Sequence, residues 1–250
     1  MREGLSGCGG LARGADRRGG RRAVPAGRRQ AAAADRAACE VTGIFVAIEG
    51  PNGVGKSTSA RLLATRLAVQ GHSVHLTTEP SRTHLGALVR QSEAELSGRA
   101  LALAVAADRA AHVAGEIEPA LAAGKVVISD RYLPSSLVLQ RLDGLPLAEI
   151  WRYNAFAPRP FLTLYLEEDP AVIATRLKER QVLSRLERAG SPRRELELYR
   201  KAYAFLGRRR WRQARIDCRG LAPDDVVKAM LGRIELLNLW ERNPLSCSPS

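Results

Sequence analysis

The run Ile44-Phe45-Val46-Ala47-Ile48-Glu49-Gly50-Pro51-Asn52-Gly53-Val54-Gly55-Lys56-Ser57-Thr58 decides how the rest of the chain is read. Its first part belongs to a short apolar stretch, Val41 to Ile48, without polar alternation, as expected of a parallel strand buried on both faces. A glycine-rich turn follows. Gly50 to Ser57 fits G-x-x-x-x-G-K-[ST], and the turn opens a helix expected from about Lys56 to Val69, stopped by Gly71. Glycines let backbone N–H groups converge on phosphate oxygens without a Cβ in the way, and the helix N-terminus adds partial positive charge. In this pattern Lys56 reaches the outer phosphates of a nucleotide, Ser57 ligates Mg²⁺ and Thr58 donates to the inner phosphate.

Outward from this loop, strands and helices alternate. Further strands are expected at Ser73–Thr77, Lys125–Ser129, Phe161–Leu166 and near Ala214–Cys218. Helices are expected over His84–Leu96, Arg99–Ala123, from Pro170 onward, over Pro192–Arg212 and over Asp224–Leu237. The fold class is therefore α/β: a doubly wound sheet of about five parallel strands flanked by helices, as in P-loop NTPases. Ligands in such sheets sit beyond the carboxyl ends of the strands. Residues 1–40, rich in Gly, Ala and Arg, lack core-forming side chains and are expected to be a disordered extension. Residues 41–240 form the expected domain, with a lid at about 178–192 and a flexible tail at 241–250.

Composition narrows the class. With 45% hydrophobic residues the chain can bury a large core, yet no apolar run approaches the ~20 residues of a membrane span. Four scattered cysteines show no metal-ligand spacing, and the first forty residues lack the apolar stretch of a signal peptide, so a cytoplasmic location is expected. The net charge of +13 comes from arginine clusters that resemble no nucleic-acid module, so nucleic acid is not an expected partner.

The third strand ends in Asp130-Arg131. A carboxylate at a strand end beside the phosphate loop is placed to hold Mg²⁺ directly or through water, and the arginine puts a fork-shaped cation near transferring phosphates. No N-K-x-D guanine-reading motif is present, and the Asp-Glu strand end of a transporter ATPase is missing.

These features sit within a wider likeness. From about Gly43 to Ala204 the chain resembles the thymidylate kinases. The motifs occur in the family's order: Ile48-Glu49-Gly50 through Thr58, Thr78-Glu79-Pro80, Ala106-Ala107-Asp108-Arg109-Ala110, Asp130-Arg131-Tyr132, and Pro160 to Leu166 before the lid. The resemblance implies a homodimer that transfers the γ-phosphoryl group of ATP to the 5′-phosphate of a pyrimidine deoxynucleotide, with Mg²⁺. It assigns ATP binding to Gly50, Pro51, Asn52, Gly53, Val54, Gly55, Lys56, Ser57 and Thr58. Acceptor binding falls to Glu79, Arg82, Val105, Arg109, Arg131, Ser135 and Gln140, with Arg109 on the base and Arg131 on the phosphate. Catalysis is implied for Lys56, Asp130, Arg131 and the lid arginines Arg180 and Arg185, because the phosphate loop carries Gly53 where some members carry an arginine.

Three positions depart from the family. Val105 stands where a phenylalanine stacks on thymine, Asn52 replaces an acid that contacts the sugar, and Leu139 occupies a commonly aromatic site. Two accounts stay open: dTMP held by apolar packing, or a different nucleotide acceptor. The remaining alternatives are a P-loop kinase with a nucleoside acceptor and a P-loop ATPase that binds nucleic acid.

Overall fold

The computed structural model describes residues 43–180, 188 and 191–235. Five strands, β1 (Ile44–Glu49), β2 (Val74–Thr78), β3 (Val126–Asp130), β4 (Leu162–Glu167) and β5 (Gln213–Asp217), form one sheet in the order β2-β3-β1-β4-β5. Every pairing is parallel, and the register sets Ile48 beside Asp130 and beside Leu164. The expected fold class is what the chain adopts.

β1 is buried along its whole length, which explains its apolar run. Ile44, Val46 and Ile48 face a layer holding α1 (Lys56–Val69) and α9 (Pro223–Glu235), whereas Phe45 and Ala47 face the opposite layer. That second layer holds α3 (Gly98–His112), α4 (Glu118–Ala122), α5 (Leu133–Leu142), α6 (Leu147–Tyr153) and α8 (Pro192–Gly207). Val46 and Ile48 have no exposed surface, and each such side chain contributes about 1.5–3 kcal/mol by leaving water. Two further helices among the described residues are α2 (His84–Ser92) and α7 (Pro170–Lys178). Asp169 caps α7 by accepting from the Ala171 N–H at 2.7 Å, with Pro170 in the first turn.

The structure differs from the sequence expectation at four places. The helix expected over Arg99–Ala123 is α3 and α4 joined by a π-helical turn, Val113–Ile117. The helix expected to reach Leu96 ends at Ser92. The helix expected to reach Arg212 ends at Gly207, because the chain turns back with Arg210 in the left-handed region (φ 59°) and the Trp211 N–H bonds the Leu206 carbonyl. Helices α5 and α6 had no counterpart. The proposed extension at residues 1–40 and the tail at 241–250 lie outside the described residues, as does most of the lid segment.

Candidate active site

The phosphate loop leaves β1 at Gly50, whose φ of 143° and close approach to the Leu166 carbonyl admit no Cβ: an added one would lie 2.6 Å from that oxygen. Gly55, at φ 107°, then turns the chain into α1. Lys56 Nζ donates to the Gly50 carbonyl at 2.8 Å and the Pro51 carbonyl at 2.7 Å, so the ammonium lies across the loop. Burial, reinforced by Arg131, pushes it down to about 7. Ser57 and Thr58 are exposed and face a cavity of about 180 Å³ lined also by Gly53, Gly55, Lys56, Arg131 and Arg180.

Ser57 Oγ donates to Asp130 Oδ2 at 2.5 Å, while Asp130 Oδ1 is buried with no hydrogen-bond partner among the described residues. A hydroxyl and a carboxylate oxygen with unused acceptor capacity are hard oxygen donors, the type Mg²⁺ takes alongside water and phosphate oxygens. The residues present fit that ion.

Arg131 is the hub of the site. It follows β3 with φ 76°, a strained value for a non-glycine residue, held by its N–H to the Ile48 carbonyl at 3.0 Å and by Ser129 Oγ bonding its carbonyl at 2.6 Å. Its guanidinium donates to Ser135 Oγ at 3.1 Å and to Asn52 Oδ1. Both acceptors are neutral. The carboxylates stand one step behind: Glu49 Oε2 accepts from Ser135 Oγ at 2.7 Å, and Glu195 Oε1 accepts from Asn52 Nδ2 at 3.3 Å. Among the described residues Arg131 forms no direct ion pair: Asp130, Glu49 and Glu195 favour its charge from a distance, and its guanidinium is fixed in place by neutral partners. Glu49 also accepts from the Tyr132 N–H at 2.7 Å and from Tyr199 OH at 3.2 Å; burial still pushes it up to about 7.

A second cavity, about 520 Å³, opens beside Arg131 beyond the ends of β2 and β3. Its inner wall carries Arg109, only 1% exposed. Nε and Nη2 of Arg109 meet Glu79 Oε2 at 2.8 and 2.6 Å, Nη2 reaches Ser136 Oγ at 2.9 Å, and Nη1 donates to Asn154 Oδ1. Glu79 is braced in turn by His112 Nδ1 at 3.3 Å. Guanidinium carries five N–H donors, so one on Nη1 is left without a partner among the described residues. Gln140, 3% exposed, lines the same cavity with an unpartnered Oε1. Leu101, Val105 and Leu139 supply apolar wall, and the exposed Arg82 borders the cavity. Asp108, beside Arg109, holds the loop after β2 through the Ser81 N–H at 2.7 Å and Ser81 Oγ at 2.5 Å.

The two cavities share Asn52, Ser57 and Arg131. A third, about 370 Å³, continues from Gly53, Gly55 and Thr58 toward Arg176, Cys218, Leu221 and Val226, with Arg180 at its border. Of the expected site residues, Arg180 therefore lies at the phosphate loop, and Arg185 lies outside the described residues. The sequence reading did not single out Ser136, Asn154, His112, Glu195 or the Arg176–Cys218 groove. Ser136 follows Ser135 in one run and was within reach of the motif; Asn154 and Glu195 carry no local signal.

A phosphate loop on the first strand of a parallel sheet, opening on one side to a groove and on the other to a pocket that begins at Arg131, defines a nucleoside-monophosphate kinase of the P-loop class. The family model for thymidylate kinase matches residues 48–211, and the chain belongs to that family. It is 43% identical over 167 residues to a probable thymidylate kinase of Pyrococcus abyssi (strain GE5 / Orsay), covering 64% of this chain and 78% of that relative. It is 48% identical over 136 residues to a probable thymidylate kinase of Thermococcus gammatolerans, covering 50% and 65%. A thymidylate kinase of Xanthomonas euvesicatoria pv. vesicatoria is 45% identical over 140 residues, covering 55% and 62%.

Proposed function

We propose that the chain transfers the γ-phosphoryl group of ATP to the 5′-phosphate of dTMP. The observation that carries this is the meeting of the donor loop and the acceptor pocket at Asn52, Ser57 and Arg131. ATP lies with its phosphates on the loop N–H groups and Lys56 and its base in the Arg176–Leu221 groove. The acceptor phosphate meets Arg131, whose fixed charge lowers the repulsion between two anions as they approach. Ser57 and Asp130 would hold Mg²⁺, which neutralises charge on the donor phosphates when bound. Arg180 and Arg185 are assigned to the charge that develops on the transferring group.

The base end selects a pyrimidine by donor and acceptor pattern. The free Nη1 proton of Arg109 and Gln140 Oε1 match the O4 carbonyl and N3–H of thymine or uracil. Cytosine places an amino group where Arg109 also donates. Gln140 can turn its amide over; Arg109, clamped by Glu79, Ser136 and Asn154, cannot reverse its polarity. Leu101, Val105 and Leu139 then take the 5-methyl group by apolar contact.

A cytoplasmic homodimer is the remaining part of the reading. Among the described residues no helix is long and apolar enough to cross a membrane. Exposed Leu88 and Leu103, on the adjoining helices α2 and α3, offer apolar area for a second copy, which sedimentation would detect.

The test is ADP formation from Mg-ATP with dTMP, dUMP, UMP and CMP in parallel. The expected order places dTMP first and CMP last. Turnover of CMP above dTMP would overturn the base assignment, and phosphate release without a phosphorylated acceptor would overturn the kinase.

A further inference from the structure

Glu195 lies in the first turn of α8, is 2% exposed and borders neither the donor loop cavity nor the acceptor pocket. Its carboxylate is nevertheless spent on the phosphate loop. Oε2 accepts the Asn52 backbone N–H at 2.8 Å, and Oε1 accepts Asn52 Nδ2 at 3.3 Å. With Nδ2 so engaged, the amide presents Oδ1 the other way, to Arg131 Nη2. We infer that Glu195 is a positioning residue for phosphoryl transfer: through Asn52 it fixes where the Arg131 guanidinium stands without neutralising it. The inference rests on the kinase reading above.

The chemistry of the relay restricts each position. In this chain Asn52 donates on one side and accepts on the other, which a primary amide can do and the acid of other family members at this position cannot. Aspartate here would set two anionic oxygens against each other at the 3.3 Å now spanned by a hydrogen bond, and would pair directly with Arg131. Glutamine at 195 would supply one acceptor where two donors converge. A direct Glu195–Arg131 pair would hold the arginine equally well but would spend its charge before a phosphate arrived. The neutral intermediary separates orientation from neutralisation, and Ser135 does the same between Arg131 and Glu49.

Two measurements on the full chain test this. The first is a kinetic cycle with Mg-ATP and dTMP. Glu195→Ala should lower kcat roughly 100-fold, the scale of a misplaced catalytic group, while the KM for ATP stays within about twofold. In an Arg131→Ala background the same change should cost less than about twofold more, because the residue it acts through is gone. A 100-fold loss in both backgrounds, or wild-type kcat in Glu195→Ala, overturns the assignment. If Glu195→Ala does not fold, Glu195→Gln takes its place in the cycle.

The second measurement does not depend on activity. Asn52→Asp and Glu195→Gln should each lower the melting temperature. Combined, they should recover most of it, since carboxylate and amide have exchanged sides. Additive losses would remove the relay. The recovered double variant should keep a low kcat, its arginine now being neutralised; full activity there would show that an unpaired Arg131 is not required. Should wild type phosphorylate no monophosphate, the proposed function fails while the melting cycle still decides the contact.

Discussion

The buried pair of Glu79 and Arg109 lends itself to a quantitative test. Their side chains are 4% and 1% exposed, and the nearest N–O distance is 2.6 Å. Solvent screening is therefore slight, and the usual discount for surface ion pairs does not apply. Glu79→Ala removes the acceptor for two guanidinium N–H groups and for His112 Nδ1, while Arg109 stays charged and enclosed. Breaking one side of such a pair costs about 3–5 kcal/mol. In a domain of this size each kcal/mol lowers Tm by roughly 2–4 °C, so a fall of about 10 °C is expected. Thermal melts and urea titrations at pH 7 would measure it. Adding Arg109→Met should return part of the loss by removing the stranded charge, yet leave dTMP turnover poor. The reasoning is refuted if Glu79→Ala melts within about 2 °C of wild type.

Further outcomes follow from the same geometry. Lys56→Ala should leave Tm unchanged or slightly higher, since a buried ammonium is removed, but lower kcat by about 10²–10³-fold; wild-type turnover in a folded variant would sink the kinase. Arg180→Ala, assayed as kcat under saturating substrates, should lose about 10³-fold or more if it meets the transferring group, and near-normal kcat would move that role elsewhere. Val105→Phe should lower the KM for dTMP roughly tenfold by giving the base a stacking face; abolished dTMP turnover would mean the pocket serves another shape. Glu49 ordinarily titrates at 4.5 and is held at about 7 by burial, so the folded chain keeps that proton over the interval. The stability it contributes is full below pH 4.5 and is lost as pH rises through about 7. Urea unfolding of wild type relative to Glu49→Gln should therefore weaken by about 2 kcal/mol between pH 5 and 7. A pH-independent difference would show that Glu49 ionises normally.

The sequence carried the sheet well because β1, β3 and β4 are short apolar runs, and α2, α7 and α9 begin at a Thr83 cap, at Asp169-Pro170 and at Pro223. It did not carry α5. Leu133, Pro134, Ser135, Ser136, Leu137 and Val138 are all buried, so the segment has no solvated face and hence no helical periodicity. The end of α8 was missed because Arg208, Arg209 and Arg210 read as helix formers, while the turn is set by Trp211 packing back into the core. In the site, Lys56, Arg109 and Arg131 were legible from motifs. Their settings were not: Arg109 is held from 27 to 45 residues away by Ser136, Glu79 and Asn154, and Asn52 is met by Glu195 at a separation of 143. Side chains that orient other side chains leave no spacing rule.

The π-helical turn at Val113–Ile117 separates two duties that one uninterrupted helix would have to reconcile. Upstream, α3 must aim Arg109 at the pocket and Asp108 at Ser81; downstream, α4 must offer the Leu121 carbonyl to the Gly43 N–H at 2.8 Å, where the chain enters β1. One residue of extra winding advances everything beyond it by about 100° around the axis. The wide turn thus acts as a phase shifter between base recognition and the foundation of the sheet. Removing a single residue within it would leave both halves helical but rotate one against the other, so pocket and foundation could not both be kept in register. An alanine scan of the same five residues, which preserves length, would leave that phase untouched.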